Sequence, residues 1–177
     1  EVMGDDVHIS ISSEIGSMGL IERENATILN AALYQVAEAF TEGFAKSLAK
    51  EGVTNADVYL SQNDGTLMTM EYARKYPILT IACGPTNSIR GAGYLSRQKD
   101  AIVVDVGGTT TDLGVIQTGF PRESGVAVTI GGVRTNFRMP DVISIGLGGG
   151  SIVRSLPDGT VTVGPDSVGF KITEEAL

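Results

Sequence analysis

The sequence predicts an α/β fold, and three observations carry that prediction. Strand-like apolar runs alternate with helix-like segments through the first half of the chain. One segment, from about Arg23 to Lys50, keeps a helical period over its whole length. A near-continuous apolar run, AIVVDV at 101–106, has the composition of a strand covered on both faces of a sheet.

The elements are expected in the following order. DVHISISS alternates polar and apolar residues and predicts a strand. In the long helix, Leu29, Leu33, Val36, Phe40, Phe44 and Leu48 recur at steps of three and four, while Glu38, Glu42, Lys46 and Lys50 take the other side. Gly52 stands where the helix needs a C-terminal cap. DVYLS (57–61) predicts a short buried strand, TLMTMEYARKY a helix stopped by Pro77, and ILTIAC (78–83) another strand. PTNSIRGAGYLSRQ (85–98) predicts a helix with proline at its first position, where the missing N–H costs nothing. After the 101–106 strand, TTDLGVIQTGFP runs into a turn at Thr118-Gly119, with GVAVTIGG as the returning strand. DVISIGLGGGSIV is a strand entering a glycine cluster, PDGTVTV a turn and strand, and TEEAL the first turn of a helix.

Composition limits the function classes. The 177 residues and 42% hydrophobic content suffice for a substantial core. Thirteen basic against twenty-one acidic residues, net charge −8, disfavour a broad nucleic-acid or anionic-membrane surface, so any phosphate must be held locally. The single cysteine, Cys83, excludes an intramolecular disulfide and a cysteine-cluster metal site. With no apolar run of membrane-spanning length and no signal-peptide pattern, a cytoplasmic location is expected. Glycine, at 23 residues, is about twice its usual share.

VVDVGGTTTDLGVI (103–116) concentrates the chemistry. Asp105 is expected at the C-terminal end of a buried parallel strand, the edge at which open α/β sheets bind ligands. Gly107 and Gly108 let the backbone approach an oxyanion and turn amides toward it. Thr109, Thr110 and Thr111 add hydroxyls. Two carboxylates, Asp105 and Asp112, beside a phosphate require a divalent cation, so Mg2+ is expected, with Asp105 as the metal-binding residue. The alternative is a tight hairpin whose glycines serve only the turn.

The loop is similar to the second phosphate motif of the actin-like ATPase superfamily. CGPTNSIRGAGYLSR supplies Gly84, Ser88, Gly91, Ala92 and Gly93 where those proteins place a small-residue helix at the hinge between two lobes. Five blocks in order, GLIERENATILNAAL, SQNDGTLMTMEYARKYPILTIACGPTNSIRGAG, DVGGTTTDLGVI, GGVRTNFRMPDVISIGLGGGSI and VGPDSVG, resemble the hydantoinase A/oxoprolinase family. That resemblance implies an actin-like ATPase (ribonuclease H-like) fold, with residues 1–97 ending one lobe and 98–177 starting the second. It implies ATP and Mg2+ as cofactors, opening of a cyclic amide such as a hydantoin or 5-oxoproline, and a hydantoinase B-type partner subunit or domain. Asp105 and Asp112 would be catalytic. The family's N-terminal Asp-Gly-Gly-Thr loop is not in these 177 residues, so an internal fragment with negligible ATP turnover of its own is expected. CGPT also departs from the more usual Ser-Gly-Pro-Ala, which leaves the substrate open. A small-molecule kinase and a nucleotide-dependent regulator stand as alternatives.

Several further residues have two readings each. Gly148, Gly149, Gly150 and Ser151, in GLGGGS, either accept part of the nucleotide, with Ser151 as a helix cap, or form a close packing point. Gln62, Asn63 and Asp64 either orient substrate or make an Asn-Asp-Gly turn. Arg134 and Arg138 either meet an anion or lie on the solvated surface, and Glu22 and Glu24 either start a helix or contact another lobe. Arg90 is expected in an ion pair between lobes, His8 exposed and inert, and Cys83 a buried small hydrophobe.

Overall fold

The computed structural model describes residues 7–124 and 127–175. In chain order its elements are α1 (Ser12–Ile15), α2 (Ile21–Lys50), β1 (Tyr59–Ser61), β2 (Leu67–Thr69), α3 (Met70–Lys75), α4 (Cys83–Ser96), β3 (Ala101–Val106), β4 (Thr111–Gln117), β5 (Phe120–Pro121), β6 (Val128–Ile130), β7 (Val133–Thr135), β8 (Val142–Ile145), β9 (Ser151–Ser155), β10 (Val161–Ser167) and α5 (Ile172–Glu175). They fall into two compact units, Glu1–Asn87 with Glu123–Pro140, and Ser88–Arg122 with Asp141–Leu177.

In the first unit, α2 forms because its residues repeat at helical spacing, and it ends because Gly52 permits a backbone turn closed to side chains. Gly52 has φ +75°. Its N–H donates to Ala49 O at 3.1 Å and the Val53 N–H donates to Leu48 O at 2.9 Å, a Schellman closure. A Cβ there would touch nothing, so Gly52→Ala carries only the backbone penalty. A loss of about 1 kcal/mol is expected in chemical denaturation, with the folded-state circular dichroism unchanged. Along the helix, Ala26 packs with Ile78 and Phe137, flanked by Leu29, Leu79, Ile81, Ile130 and Met139. Asn30, fully buried, donates to Lys75 O (3.1 Å) and Ser10 Oγ (3.0 Å) and accepts the Ile78 N–H (3.3 Å). The outer half of the predicted stripe is not covered: Val36 is 67% and Phe40 53% exposed. They border an apolar groove of about 440 Å³ that also involves Leu33, Leu60 and Cys83.

Several expectations for this unit are corrected. Residues 7–11 pair with no strand among the described residues; Ser10 and His8 instead reach α2, with the His8 ring stacked on Tyr34 at 3.6 Å, so His8 is half-buried rather than exposed. The 78–83 strand is replaced by a 3-10 turn, Pro77–Thr80, and the start of α4. A strand would send Ile78 and Leu79 to opposite faces, whereas the turn brings both, with Ile81, to one core. The 57–61 strand is short but not buried, and it pairs antiparallel with β2, which occupies the start of the predicted TLMTMEYARKY helix. Within GVAVTIGG, Gly125 and Val126 lie outside the described residues; β6 pairs with β7 across Gly131 and Gly132, both at positive φ, rather than returning along β4. Segment 123–140 is fastened to this unit by Asn63 Nδ2 to Arg138 O (2.7 Å) and Asn25 Nδ2 to Arg134 O (2.9 Å).

In the second unit, β3 pairs with β4 in full register from Ala101↔Ile116 to Val106↔Thr111, and β4 pairs with β5 and β8; all are antiparallel. The expected parallel strand is thus antiparallel, closed by a local loop too short for a crossover. It is also not covered on both faces: Ile102, Val104 and Val106 are 75%, 55% and 63% exposed. The opposite face packs against α4, where a Cβ on Gly114 would fall 2.1 Å from Ile89 Cδ1 and one on Gly93 would fall 2.9 Å from Ile116 Cδ1. A Cβ at Gly84 or Gly91 would meet nothing. Thr118 (φ +53°) and Gly119 (φ +86°) make the predicted turn into β5. Arg90 enters no ion pair among the described residues. It donates to Gly119 O at 2.9 Å and lies over the Phe120 ring at 4.3 Å. β9 and β10 form a separate antiparallel pair, and of TEEAL the last two residues lie outside the described ones.

Candidate anion-binding loop

The β3–β4 pairing decides the geometry of the candidate site. Asp105 and Asp112 are direct cross-strand partners, and Ser144 of β8 is the partner of Asp112. Directly opposed residues project to one face, so both carboxylates and the hydroxyl share it. The Ser144 hydroxyl donates to Asp112 Oδ1. Neither carboxylate forms an ion pair among the described residues. Like charges held opposite each other destabilise a strand pair unless a cation compensates.

Between the strands, the Gly107 N–H donates to Thr110 O at 2.9 Å and tightens the loop. Among the described residues the amides of Gly108, Thr109 and Thr110 have no acceptor, and the Thr109 and Thr110 hydroxyls have no partner. All four residues from Gly107 to Thr110 are exposed. Gly108 is not in the left-handed region, and a Cβ there would meet nothing within 4 Å. Nothing inside the protein requires glycine at 108, which fits a residue kept bare for a ligand's approach. Thr111 differs from its neighbours. It is buried and its hydroxyl donates to Leu147 O at 2.6 Å, so the third threonine serves the fold.

The glycine cluster is beside this loop, in its close-packing form. The Gly149 N–H donates to Gly107 O (2.9 Å) and the Gly150 N–H to Gly108 O (2.7 Å). Those two amides are consumed and have no capacity left for a phosphate. Ser151 caps no helix; it begins β9, and its Oγ accepts the Gly148 N–H at 2.8 Å. Sequence reasoning had no signal for the pairing of these two glycine loops, nor for Ser144 and Ser167, because each is a contact between distant segments.

The remaining candidates resolve mostly to structural roles. Asp64 accepts from the Thr66 N–H (2.8 Å) and hydroxyl (2.7 Å), closing a turn in which Gly65 has φ +83°, and Asn63 is buried. Arg134 pairs with Glu22 at 3.4 Å and Arg138 with Glu123 at 3.9 Å, each arginine largely exposed. Glu22 and Glu24 lie in the first turn of α2, where acids suit the helix dipole. Cys83 is half-buried at the start of α4. Among the described residues no three His, Cys, Asp or Glu side chains gather to hold a metal ion unaided. An Asp105–Asp112 pair is a donor set for a cation that takes its remaining ligands from phosphate and water, the habit of Mg2+.

The sequence model of the hydantoinase/oxoprolinase family matches residues 23–174, which contain the loop, both aspartates and the glycine cluster. The chain belongs to this family. It is 26% identical over 161 residues to the acetophenone carboxylase gamma subunit of Aromatoleum aromaticum, covering 89% of this chain and 22% of that one. Among solved structures it is similar to the ATP-dependent caprolactamase from Pseudomonas jessenii (TM-score 0.72, 25% identity, 94% of this chain and 24% of that one). It is also similar to a nucleotide-free acetone carboxylase, whose carboxylation is ATP-dependent (TM-score 0.67, 25% identity, 91% and 23%). The mixed helix-and-sheet architecture is thus that of ATP-dependent family enzymes. The chain spans about a quarter of the length of the curated relatives it matches. Among the described residues no helix is long and apolar enough to cross a membrane.

Proposed function

We propose that this chain is the part of an ATP-dependent cyclic amidohydrolase that holds the nucleotide phosphates, within an actin-like ATPase fold. In this reading residues 1–97 end one lobe and 98–177 begin the next. The observation that carries it is the juxtaposition of three amides that are unpartnered among the described residues, Gly108, Thr109 and Thr110, with the opposed carboxylates of Asp105 and Asp112. The amides and the two free threonine hydroxyls bind phosphate oxygens. Asp105 holds Mg2+ with Asp112 alongside, and Ser144 orients the Asp112 carboxylate. Bound ATP with its magnesium supplies an electrophilic phosphoryl group that turns a lactam oxygen into a leaving group. Catalysis of that kind depends on positioning and charge neutralisation, so a nucleophilic side chain is not required. A hydantoinase B-type subunit in the cytoplasm completes hydrolysis; the gamma-subunit name of the carboxylase relative supports an assembly of several chains.

The carboxylase relatives favour a second reading, ATP-dependent carboxylation of a ketone. The intact polypeptide with its partner subunit, given ATP and either lactams, hydantoins, or ketones with bicarbonate, separates the two. Lactam-stimulated phosphate release, with hydroxylamine intercepting the activated lactam carbonyl before water does, is the expected result. Release stimulated only by ketone and bicarbonate establishes the second reading, and ADP formation with transfer of the phosphoryl group to a polyol, without release of inorganic phosphate, establishes a kinase.

A further inference from the structure

We infer that the 146–151 loop, together with Ser167 and Val168, is a clasp that sets the orientation of two peptide planes in the anion-binding loop, making Gly148 and Gly150 positioning residues for its amides; this rests on the nucleotide reading above. The 107–108 and 108–109 peptides are trans. In a trans peptide the C=O of one residue and the N–H of the next point in opposite directions. Gly107 O is tied to the Gly149 N–H at 2.9 Å, so the Gly108 N–H points away from the glycine cluster. Gly108 O accepts the Gly150 N–H at 2.7 Å and the Ser167 hydroxyl at 3.5 Å, so the Thr109 N–H points away as well. Both amides therefore face the open side of the loop. Untethered, a Gly-Gly peptide rotates readily and would present carbonyl oxygens, which repel an anion.

The clasp requires two glycines for steric reasons. A Cβ at Gly148 would lie 2.7 Å from Gly107 O and 2.8 Å from both C and O of Gly108. One at Gly150 would lie 2.8 Å from Ser167 Oγ and 3.0 Å from Gly108 O. The cluster is itself braced: Gly148 and Ser151 exchange hydrogen bonds (2.8 and 3.0 Å), and the Val168 N–H donates to Gly150 O at 2.8 Å. GLGGGS thus acts on phosphate through the loop it grips.

The test uses Gly148→Ala, Ser151→Ala and Ser151→Thr in the intact polypeptide, with amide exchange at residues 149 and 150 and binding of ATP and of adenosine. Ser151→Ala removes the acceptor for Gly148 without adding an atom, and so serves if Gly148→Ala does not fold. Expected are at least tenfold faster exchange at both amides and about tenfold weaker ATP binding, with adenosine binding unchanged and Ser151→Thr close to wild type. Unchanged exchange in both alanine variants overturns the clasp. Faster exchange with wild-type ATP affinity overturns the positioning role. If the wild type binds no ATP, the nucleotide reading falls separately; faster exchange in the variants then still supports the clasp, and unchanged exchange overturns it.

Discussion

Asp105→Ala in the intact polypeptide is expected to lower magnesium-dependent ATP turnover by a hundredfold or more, equivalent to about 3 kcal/mol of transition-state stabilisation. Among the described residues the Asp105 side chain has no hydrogen bond or ion pair, so truncating it removes no contact on which the fold depends. Its position opposite Asp112 means that folding brings two negative charges together. Relieving that repulsion should leave the unfolding midpoint unchanged or slightly higher. Loss of activity with retained or increased stability is the signature of a group held in place for a ligand. Asp105→Asn, which keeps the shape and removes the charge, is expected to lose activity to a similar degree. ATP affinity and turnover at wild-type level in both variants would end the phosphate-loop reading, whatever the stability result.

The parts of this site that sequence revealed are those fixed by local chain geometry. Asp105 and Asp112 are seven residues apart around a glycine pair, and a tight hairpin puts such residues opposite each other without help from elsewhere. The long helix was legible for a similar reason: its period and the cap at Gly52 are local properties, and the structure realises both. Failures cluster where a distant segment decides. Residues 78–83 read as a strand by composition, yet Asn30 and the Ala26 core capture the start of that segment in a turn and its last residue begins α4. The 101–106 run has the composition of a strand buried on two faces, but α4 covers one face of the sheet and three side chains on the other are mostly exposed. GLGGGS advertised close approach without naming what approaches; the answer, the carbonyls of Gly107 and Gly108, lies about forty residues earlier.

The contact between α4 and β4 supports the second large prediction. Ile89 is 2% exposed and its Cδ1 occupies the space in which any Gly114 side chain would begin, 2.1 Å from the Cβ position. No small adjustment accommodates an overlap of that size, so Gly114→Val must displace Ile89 or separate helix from strand. A destabilisation of about 3 kcal/mol is expected, at the upper end for overpacking. Ile89→Ala alone should cost a comparable amount by opening a cavity. Together the two changes should cost clearly less than their sum, because each supplies what the other lacks, and the coupling is measurable in a double-mutant cycle of chemical denaturation. Strict additivity would mean that Ile89 does not fill the space over Gly114. The cycle also bears on the site, because Gly114 is two residues beyond Asp112 on the same strand and Ile116 packs on Gly93 further along. Pushing β4 from the helix at 114 should shift Asp112 against Asp105, so Gly114→Val is expected to weaken ATP binding under conditions where the protein remains folded, and Ile89→Ala in the same background to restore it.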